Sequence, residues 1–222
     1  MLNKNNEFGS SRYWEERKIT DSVKDWRNDG NLNWIEEYWK SKEHPHRKLI
    51  IKELKKLGPF ESLLEIGCNC GPNIFLIKKE FPTTKIIGID INRPSLIEGM
   101  SKFPKEFFKN SGMFYQNLEK GINCAPKYFD IILSDAVLMY VNPEKIRHVI
   151  EEMIRVTKKA IIFCEWQIPD NRLGEKVYGH WARDYVKLLG DYGIKTSIYK
   201  LTKEDWPSEN WSRVGYIITG SL

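Results

Sequence analysis

From residue 58 onward, short apolar runs alternate with longer segments in which apolar residues recur every three or four positions. The apolar runs predict seven strands, at 62–67, 84–91, 112–118, 128–138, 159–166, 194–202 and 211–222. The helical spacing predicts helices at 71–81, 93–103, 142–157 and 174–193. Strands that are apolar on both faces and alternate with helices are typical of a parallel sheet covered on both sides, so the pattern predicts an α/β fold.

The first 57 residues have a different pattern. Half of the eight tryptophans lie there, among many charged residues. We interpret residues 1–57 as an N-terminal helical lid or cap packed over the sheet, with a turn at 28–31 ("NDGN") between two helices. Residues 58–222 then form one domain built on the sheet.

Composition narrows the class of protein. Hydrophobic residues make up 41% of the 222 positions, which is enough for a core, and no apolar run approaches the roughly 20 residues that a membrane helix needs. The start of the chain lacks the apolar stretch of a secretory signal. We therefore expect a cytoplasmic protein with reduced cysteines, either a monomer or a homodimer. The net charge of +5 is spread along the chain, which favours a solvated surface over a nucleic-acid patch.

The stretch "LLEIGCNCGPNIF" at 63–75 joins a predicted strand to a predicted helix through a glycine turn. Such a turn brings the backbone close to a nucleotide, and Gly67 and Gly71 provide the small residues that it needs. Asn69 lies between them, and asparagine tolerates left-handed backbone. Asp90 ends the next strand, where a ribose-binding carboxylate belongs. Glu65 would repel a pyrophosphate, so the loop suits a ligand with an ammonium or a sulfonium.

These motifs together resemble the class I S-adenosylmethionine-dependent methyltransferases. The matching stretches are "LLEIGCNCG", "IIGIDIN", "MFYQNLE", "YFDIILSDAVLMYV" and, by position, "RVGYIITGSL". The sequence departs from the family pattern at Asn69 and at 116–118, where an aspartate is common. The resemblance implies a Rossmann-like fold, doubly wound, with a mostly parallel seven-stranded sheet and an antiparallel last strand.

The resemblance also implies a cofactor, S-adenosylmethionine, with S-adenosylhomocysteine as its product. Glu65 would orient the methionine ammonium, Asp90 would accept hydrogen bonds from the ribose hydroxyls, and Ile91 would pack on the adenine. The predicted cofactor contacts are Arg47, Glu65, Gly67, Asn69, Gly71, Asn73, Asp90, Ile91, Asn117, Leu118, Ser134, Asp135 and Ala136.

Four residues are candidates for catalysis. Asp135 and Tyr140 follow the fourth strand, at the sheet edge where ligands bind. Asp135 could act as a general base, and Tyr140 could line the acceptor pocket. A helix cap and a core ring are the alternatives for this pair. Glu165 ends the next strand at the same edge. His180 would lie on a helix that also carries Arg183 and Asp184, either as the proton acceptor or as part of a salt bridge.

Two other motifs have open interpretations. "HPHR" at 44–47 is either a helix start with exposed histidines or a lid segment in which Arg47 pairs with the cofactor carboxylate. Cys68 and Cys70 lack the spacing and the further ligands of a zinc site, so we expect no metal and interpret these thiols as small core residues.

The acceptor is the least determined part of the prediction. A pocket covered by an aromatic N-terminus favours methyl transfer to an oxygen or nitrogen of a small molecule, such as a sugar or a secondary metabolite. The alternative is an RNA or protein methyltransferase, since positive charge and aromatic residues can serve phosphate contacts and base stacking. A non-catalytic binder or a nicotinamide enzyme on a similar fold is the third possibility.

Overall fold

The computed structural model describes residues 10–19 and 33–222, so the predicted turn at 28–31 lies outside the described residues. Seven strands form one sheet in the order β3-β2-β1-β4-β5-β9-β8. Their bounds are β1 Ser62–Ile66, β2 Lys85–Asp90, β3 Gly112–Tyr115, β4 Phe129–Asp135, β5 Thr157–Trp166, β8 Lys195–Lys200 and β9 Gly215–Ser221. Strands β6 Glu175–Val177 and β7 His180–Ala182 form a separate hairpin.

Eight α-helices accompany the strands within the described residues. They are α1 Ser11–Glu16, α2 Trp34–Lys40, α3 Pro45–Lys56, α4 Pro72–Glu80, α5 Arg93–Ser101, α6 Ile146–Val156, α7 Tyr185–Gly190 and α8 Glu209–Val214. None of these helices is long and apolar enough to cross a membrane.

The strand directions confirm the predicted fold. Strands β3, β2, β1, β4 and β5 are parallel, and β9 lies antiparallel between β5 and β8. Every residue of β1 and β4 is buried, because helices cover both faces of the sheet centre. The carboxyl ends of β1 and β4 therefore open into a crevice at the middle of one sheet edge.

Each face of the sheet has its own apolar core. Helices α3 and α4 bury Ile50 and Ile74 on one face, and α6 buries Val149 and Met153 on the other. Helix α3 contributes to the apolar core on one face of the sheet. The N-terminal region therefore packs against the sheet through this helix. The boundary at residue 57 between a cap and a domain stays a prediction.

One predicted element was wrong, and another was predicted to begin too early. The segment 174–193 is a hairpin followed by a six-residue helix, because Gly174, Tyr178 and Gly179 have positive φ values of 103°, 48° and 85° that no helix allows. His180 therefore lies on strand β7, not on a helix with Arg183 and Asp184. The predicted strand at 211–222 begins only at Gly215, after helix α8.

Candidate active site

A cavity of about 560 Å³ lies at the carboxyl ends of β1, β2 and β4. Its volume falls within the roughly 300–1,000 Å³ that is usual for small-molecule sites. The glycine loop, the end of β2, residues 116–119 and the end of β4 form one side. The N-terminal helices, the hairpin and the segment before α8 form the other side. We call these two sides the cofactor half and the acceptor half.

The cofactor half is held in shape by backbone hydrogen bonds to Asp90. The N–H of Asn69 donates to Oδ2 of Asp90 at 2.8 Å, and the N–H of Asn92 donates to Oδ1 at 2.7 Å. Gly67 and Asn69 have φ values of 65° and 51°, and a Cβ at Gly67 would lie 2.3 Å from the Val137 side chain. Each Asp90 oxygen keeps lone-pair capacity beside the cavity, as a ribose contact requires.

A buried polar cluster surrounds Asp135. Its Oδ2 accepts hydrogen bonds from His46 Nε2 at 3.0 Å, Arg47 Nη1 at 3.0 Å and Asn73 Nδ2 at 2.9 Å. Burial alone would raise the pKa of Asp135, but His46 and Arg47 lower it well below its usual range. A carboxylate this acidic is a weak proton acceptor, so its contacts suit ligand binding better than the predicted role of general base.

Arg47 joins this cluster to the N-terminal region. Its Nε and Nη2 donate to the backbone oxygen and the hydroxyl of Ser41, at 2.9 Å and 2.8 Å. The guanidinium carbon lies 5.6 Å from the centre of the Tyr38 ring. The histidines of "HPHR" are not both exposed, because His46 is buried beside Arg47. The lid interpretation of this motif agrees with that burial.

The donors and acceptors of the cluster fit the methionine ammonium of S-adenosylmethionine. Asn73 also donates to Oε1 of Glu65 at 2.8 Å. Within the part of the chain that the structure describes, Oε2 of Glu65 and Oδ1 of Asp135 are buried without a hydrogen-bond partner. Burial raises the pKa of Glu65 to about 8. Two carboxyl oxygens lack a hydrogen-bond partner, and burial destabilises the charged form of Glu65. Both features fit a cationic ligand group, which would pair with these oxygens.

The predicted cofactor residues divide into two sets. Those that line the cavity are Arg47, Gly67, Asn69, Asp90, Ile91, Asn117, Leu118, Asp135 and Ala136. Glu65, Gly71, Asn73 and Ser134 lie behind this wall. Gly71, for example, faces Met113 and Phe103 in the core. Their contacts with a cofactor, direct or indirect, stay predictions.

The contacts of Glu165 are structural and differ from the catalytic role that the sequence predicted. It is fully buried and does not line the cavity. Its Oε1 accepts from Ser134 Oγ and from the backbone N–H groups of Val137 and Leu138, at 2.8–2.9 Å. Burial raises its pKa to about 7. Glu165 fixes the turn that carries Tyr140, and it has no path to an acceptor in the cavity.

The acceptor half is a belt of aromatic rings around Tyr140 and His180. The centre of the Tyr140 ring lies 5.1 Å from those of Trp14 and His180, and His180 lies 5.1 Å from Trp166. Trp206 and Trp211 stack at 3.7 Å with an angle of 6°. We call these residues the aromatic belt: Trp14, Tyr140, Trp166, His180, Trp206 and Trp211, all lining the cavity.

Sequence reasoning missed most of this belt. Tyr140 and His180 were predicted site residues, but Trp206, Trp211, His44 and His46 were not. The available signal was the clustering of tryptophans at both ends of the chain, which the sequence shows without indicating a shared site.

The cysteines take no part in the cavity wall. Cys68, Cys70 and Cys164 are buried with free thiols, and Cys124 is half-buried. Among residues 10–19 and 33–222, no group of three or more histidine, cysteine or acidic side chains is arranged to hold a metal ion.

Comparisons with known proteins agree with this geometry. Residues 63–160 match the family profile described as a methyltransferase domain. A human protein, the tRNA N(3)-cytidine methyltransferase METTL6, is 24% identical in an alignment of 191 positions that covers 76% of this chain and 64% of that protein. This chain thus spans less than two thirds of the length of the curated relative.

Solved structures show the same fold. A S-adenosylmethionine-dependent methyltransferase from Aquifex aeolicus has a TM-score of 0.60 at 16% identity, covering 85% of this chain and 96% of that one. The magnesium protoporphyrin IX methyltransferase of Synechocystis, solved with S-adenosylhomocysteine, has a TM-score of 0.64 at 14% identity, covering 97% and 96%. The plantazolicin methyltransferase BpumL, in complex with an analogue and S-adenosylhomocysteine, has a TM-score of 0.60 at 14% identity, covering 88% and 92%.

The fold, the cavity and these matches define the class. Residues 63–160 match the methyltransferase-domain profile, and the sheet has the fold of solved S-adenosylmethionine-dependent methyltransferases, as the sequence predicted. The matched structures are S-adenosylmethionine-dependent methyltransferases, and two of them hold S-adenosylhomocysteine. The predicted fold is confirmed, and the matched residues agree with the predicted family, enzyme class and cofactor.

Proposed function

We propose that this protein transfers a methyl group from S-adenosylmethionine to an oxygen or nitrogen of a small-molecule acceptor. The observation that carries this proposal is the composition of the cavity wall. Its acceptor half is an aromatic belt, which suits a compact acceptor with an apolar or aromatic face.

The charges in the wall support a small, non-phosphorylated acceptor. The lining contains two arginines, Arg17 and Arg47, and four carboxylates, Glu37, Asp90, Glu119 and Asp135. A lining with more acid than base repels phosphates, whereas RNA-binding sites collect cations along the backbone.

Each half has a defined task in this proposal. Asp90 binds the ribose hydroxyls, Asp135 and Glu65 bind the ammonium, and Arg47 pairs with the cofactor carboxylate. S-adenosylmethionine supplies the electrophilic methyl group. The belt holds the acceptor so that its nucleophilic atom faces that methyl group, which is mostly catalysis by positioning. Tyr140 and His180 carry polar atoms that can contact the acceptor, beside the indole N–H groups of the belt tryptophans.

The proposal is tested by an acceptor screen. Purified protein is incubated with S-adenosylmethionine and separate pools of sugars, phenols, heteroaromatic amines and aliphatic amines, and released S-adenosylhomocysteine is quantified. We expect turnover with one pool and transfer confirmed by a mass gain of one methyl group. Tight binding of S-adenosylhomocysteine with turnover only on a macromolecule would reject the small-molecule acceptor.

The similarity to the human tRNA methyltransferase favours RNA as the second candidate. Under that alternative, transfer RNA would bind with an affinity that falls steeply as salt rises, and it would accept radiolabelled methyl groups. We expect neither result, since the cavity wall is acidic. A cytoplasmic location and a monomeric or homodimeric state remain part of the proposal.

A further inference from the structure

Two histidines of the cavity wall form a hydrogen-bonded chain that ends on Asp135. His46 Nε2 lies 3.0 Å from Oδ2 of Asp135, and His46 Nδ1 lies 2.5 Å from Nδ1 of His44. Both histidines line the cavity. The chain therefore runs from a buried carboxylate at the cofactor half to an imidazole that faces the acceptor half.

The partners of this chain determine which nitrogen carries each proton. A carboxylate only accepts, so His46 carries its proton on Nε2. Burial lowers the pKa of His46, which keeps its ring neutral and leaves Nδ1 as an acceptor. His44 must then donate from its own Nδ1. A neutral His44 with a proton on Nδ1 has a lone pair on Nε2.

The surroundings fix the two rings in place. His46 is 2% exposed and stacks on Trp206, with ring centres 4.0 Å apart and an angle of 30°. The centre of the His44 ring lies 4.8 Å from that of Trp206. His44 is also the residue before the first turn of α3. These contacts orient the ring of His44 at the cavity wall.

We propose that His44 accepts the proton that the acceptor loses during methyl transfer, with His46 and Asp135 as positioning residues; this inference rests on the proposed function. The acceptor atom forms a bond to the methyl carbon, and the sulfur–methyl bond breaks with its electron pair going to sulfur. The proton of the acceptor moves to Nε2 of His44. The resulting imidazolium is stabilised through the chain by the carboxylate of Asp135.

His180 has a different environment. Its Nδ1 donates to the carbonyl of Tyr178 at 3.1 Å, and its ring lies between those of Trp166 and Tyr140. Burial lowers its pKa. This arrangement suits contact with an acceptor ring, and it makes His180→Ala the matched control for His44→Ala.

The first experiment reads the tautomers directly and needs no acceptor. Protein with ¹⁵N-labelled histidine is saturated with S-adenosylhomocysteine, and the ring nitrogens are assigned by NMR with His44→Asn and His46→Phe variants. We expect His46 protonated on Nε2 and neutral His44 protonated on Nδ1. A neutral His44 protonated on Nε2, or a His46 protonated on Nδ1 alone, would overturn the inference whatever the acceptor is.

The second experiment uses the first acceptor that the screen returns. His44→Ala should lower kcat by about 10²- to 10⁴-fold, the usual range for losing a general base, while the dissociation constant of S-adenosylhomocysteine stays within about twofold. Added imidazole should restore part of kcat in His44→Ala. His46→Phe keeps a ring on Trp206 and should lower kcat without imidazole rescue.

The control separates the two histidines. His180→Ala should raise the KM for the acceptor more than it lowers kcat. Full activity of His44→Ala, or imidazole rescue of a His180→Ala variant instead, would overturn the inference and leave the proposed function standing. Circular dichroism and thermal unfolding of each variant identify any loss that comes from misfolding.

Discussion

The two halves of the cavity are built in opposite ways. In the cofactor half, Asn69 and Asp90, which are hydrogen-bonded, lie 21 residues apart in the chain. In the contact that joins the halves, His46 and Asp135 lie 89 residues apart. The cofactor half is thus made by consecutive strand–helix units, whereas the acceptor half is assembled from segments at both ends of the chain. This fold therefore provides cofactor binding locally and acceptor recognition only through long-range packing.

This contrast has a functional consequence. Changes in the cofactor half should act on S-adenosylhomocysteine binding. Changes in the aromatic belt should leave that binding intact and act on the acceptor. The buried pair between Arg47 and Asp135 crosses from one half to the other, so it should affect the stability of the whole molecule.

The largest effect is expected from breaking that buried pair. Arg47→Leu leaves Asp135 buried without its arginine, and losing one partner of a buried pair costs about 3–5 kcal/mol in the free energy of unfolding. Urea denaturation followed by circular dichroism measures this change. The control is Arg12→Leu, which removes an exposed pair with Glu16 and should cost less than about 1 kcal/mol. Equal losses in the two variants would show that Arg47 does not join the halves.

The next effect tests the cofactor half. Asp90→Ala removes the carboxylate that we propose for the ribose hydroxyls, together with its bonds to the loop of Asn69. We expect the affinity for S-adenosylhomocysteine to fall by about 100-fold, or about 3 kcal/mol, because hydrogen bonds to a charged group are among the strong ones. Calorimetric titration measures it. Glu53→Ala, which removes an acid that pairs with Lys56 and does not line the cavity, should bind like the wild type. Unchanged binding by Asp90→Ala would contradict the assignment of this half.

A smaller effect tests the aromatic belt. Trp206→Ala removes the ring that stacks on His46 and Trp211. We expect the KM for the acceptor to rise about tenfold, since an aromatic pair contributes about 0.5–1.5 kcal/mol beyond its buried area, with cofactor affinity unchanged within about twofold. Steady-state kinetics and calorimetry give the two numbers. Trp181→Ala, a tryptophan on the hairpin outside the main cavity, is the control. If cofactor binding fell as much as acceptor binding, the two halves would not be separable.

The sequence predicted the seven strands and the positions of the glycine loop and Asp90, because these depend on local patterns of apolar residues and glycines. It did not predict the hairpin, because the apolar residues of 174–193 have helical spacing and only the positive φ values at Gly174 and Gly179 reveal the turns. The contact between Trp206 and His46 was also not predicted, because no local pattern encodes a contact between distant segments. Glu165 was placed at the correct edge of the sheet, but its side chain points to buried backbone N–H groups.

The smallest effect concerns pH and Glu65. Burial raises the pKa of Glu65 to about 8, so its carboxyl is largely neutral at pH 7 before the cofactor binds. A cationic ammonium prefers the carboxylate, so binding should release a proton, and affinity should rise as pH approaches 8 and then level off. Between pH 7 and pH 8 a single group with this pKa gives a gain of about fivefold.

Calorimetric titrations with S-adenosylhomocysteine, in two buffers that differ in ionisation enthalpy, measure both the affinity and the proton release. Asp135 does not contribute to the change in affinity between pH 7 and pH 8. Although burial would raise its pKa, His46 and Arg47 hold that pKa below the usual range for an aspartate, so Asp135 is ionised throughout. In Glu65→Gln the proton release and the rise in affinity should both disappear. Proton release that persists in Glu65→Gln would place the titrating group elsewhere in the cavity, and it would remove Glu65 from the proposed ammonium site.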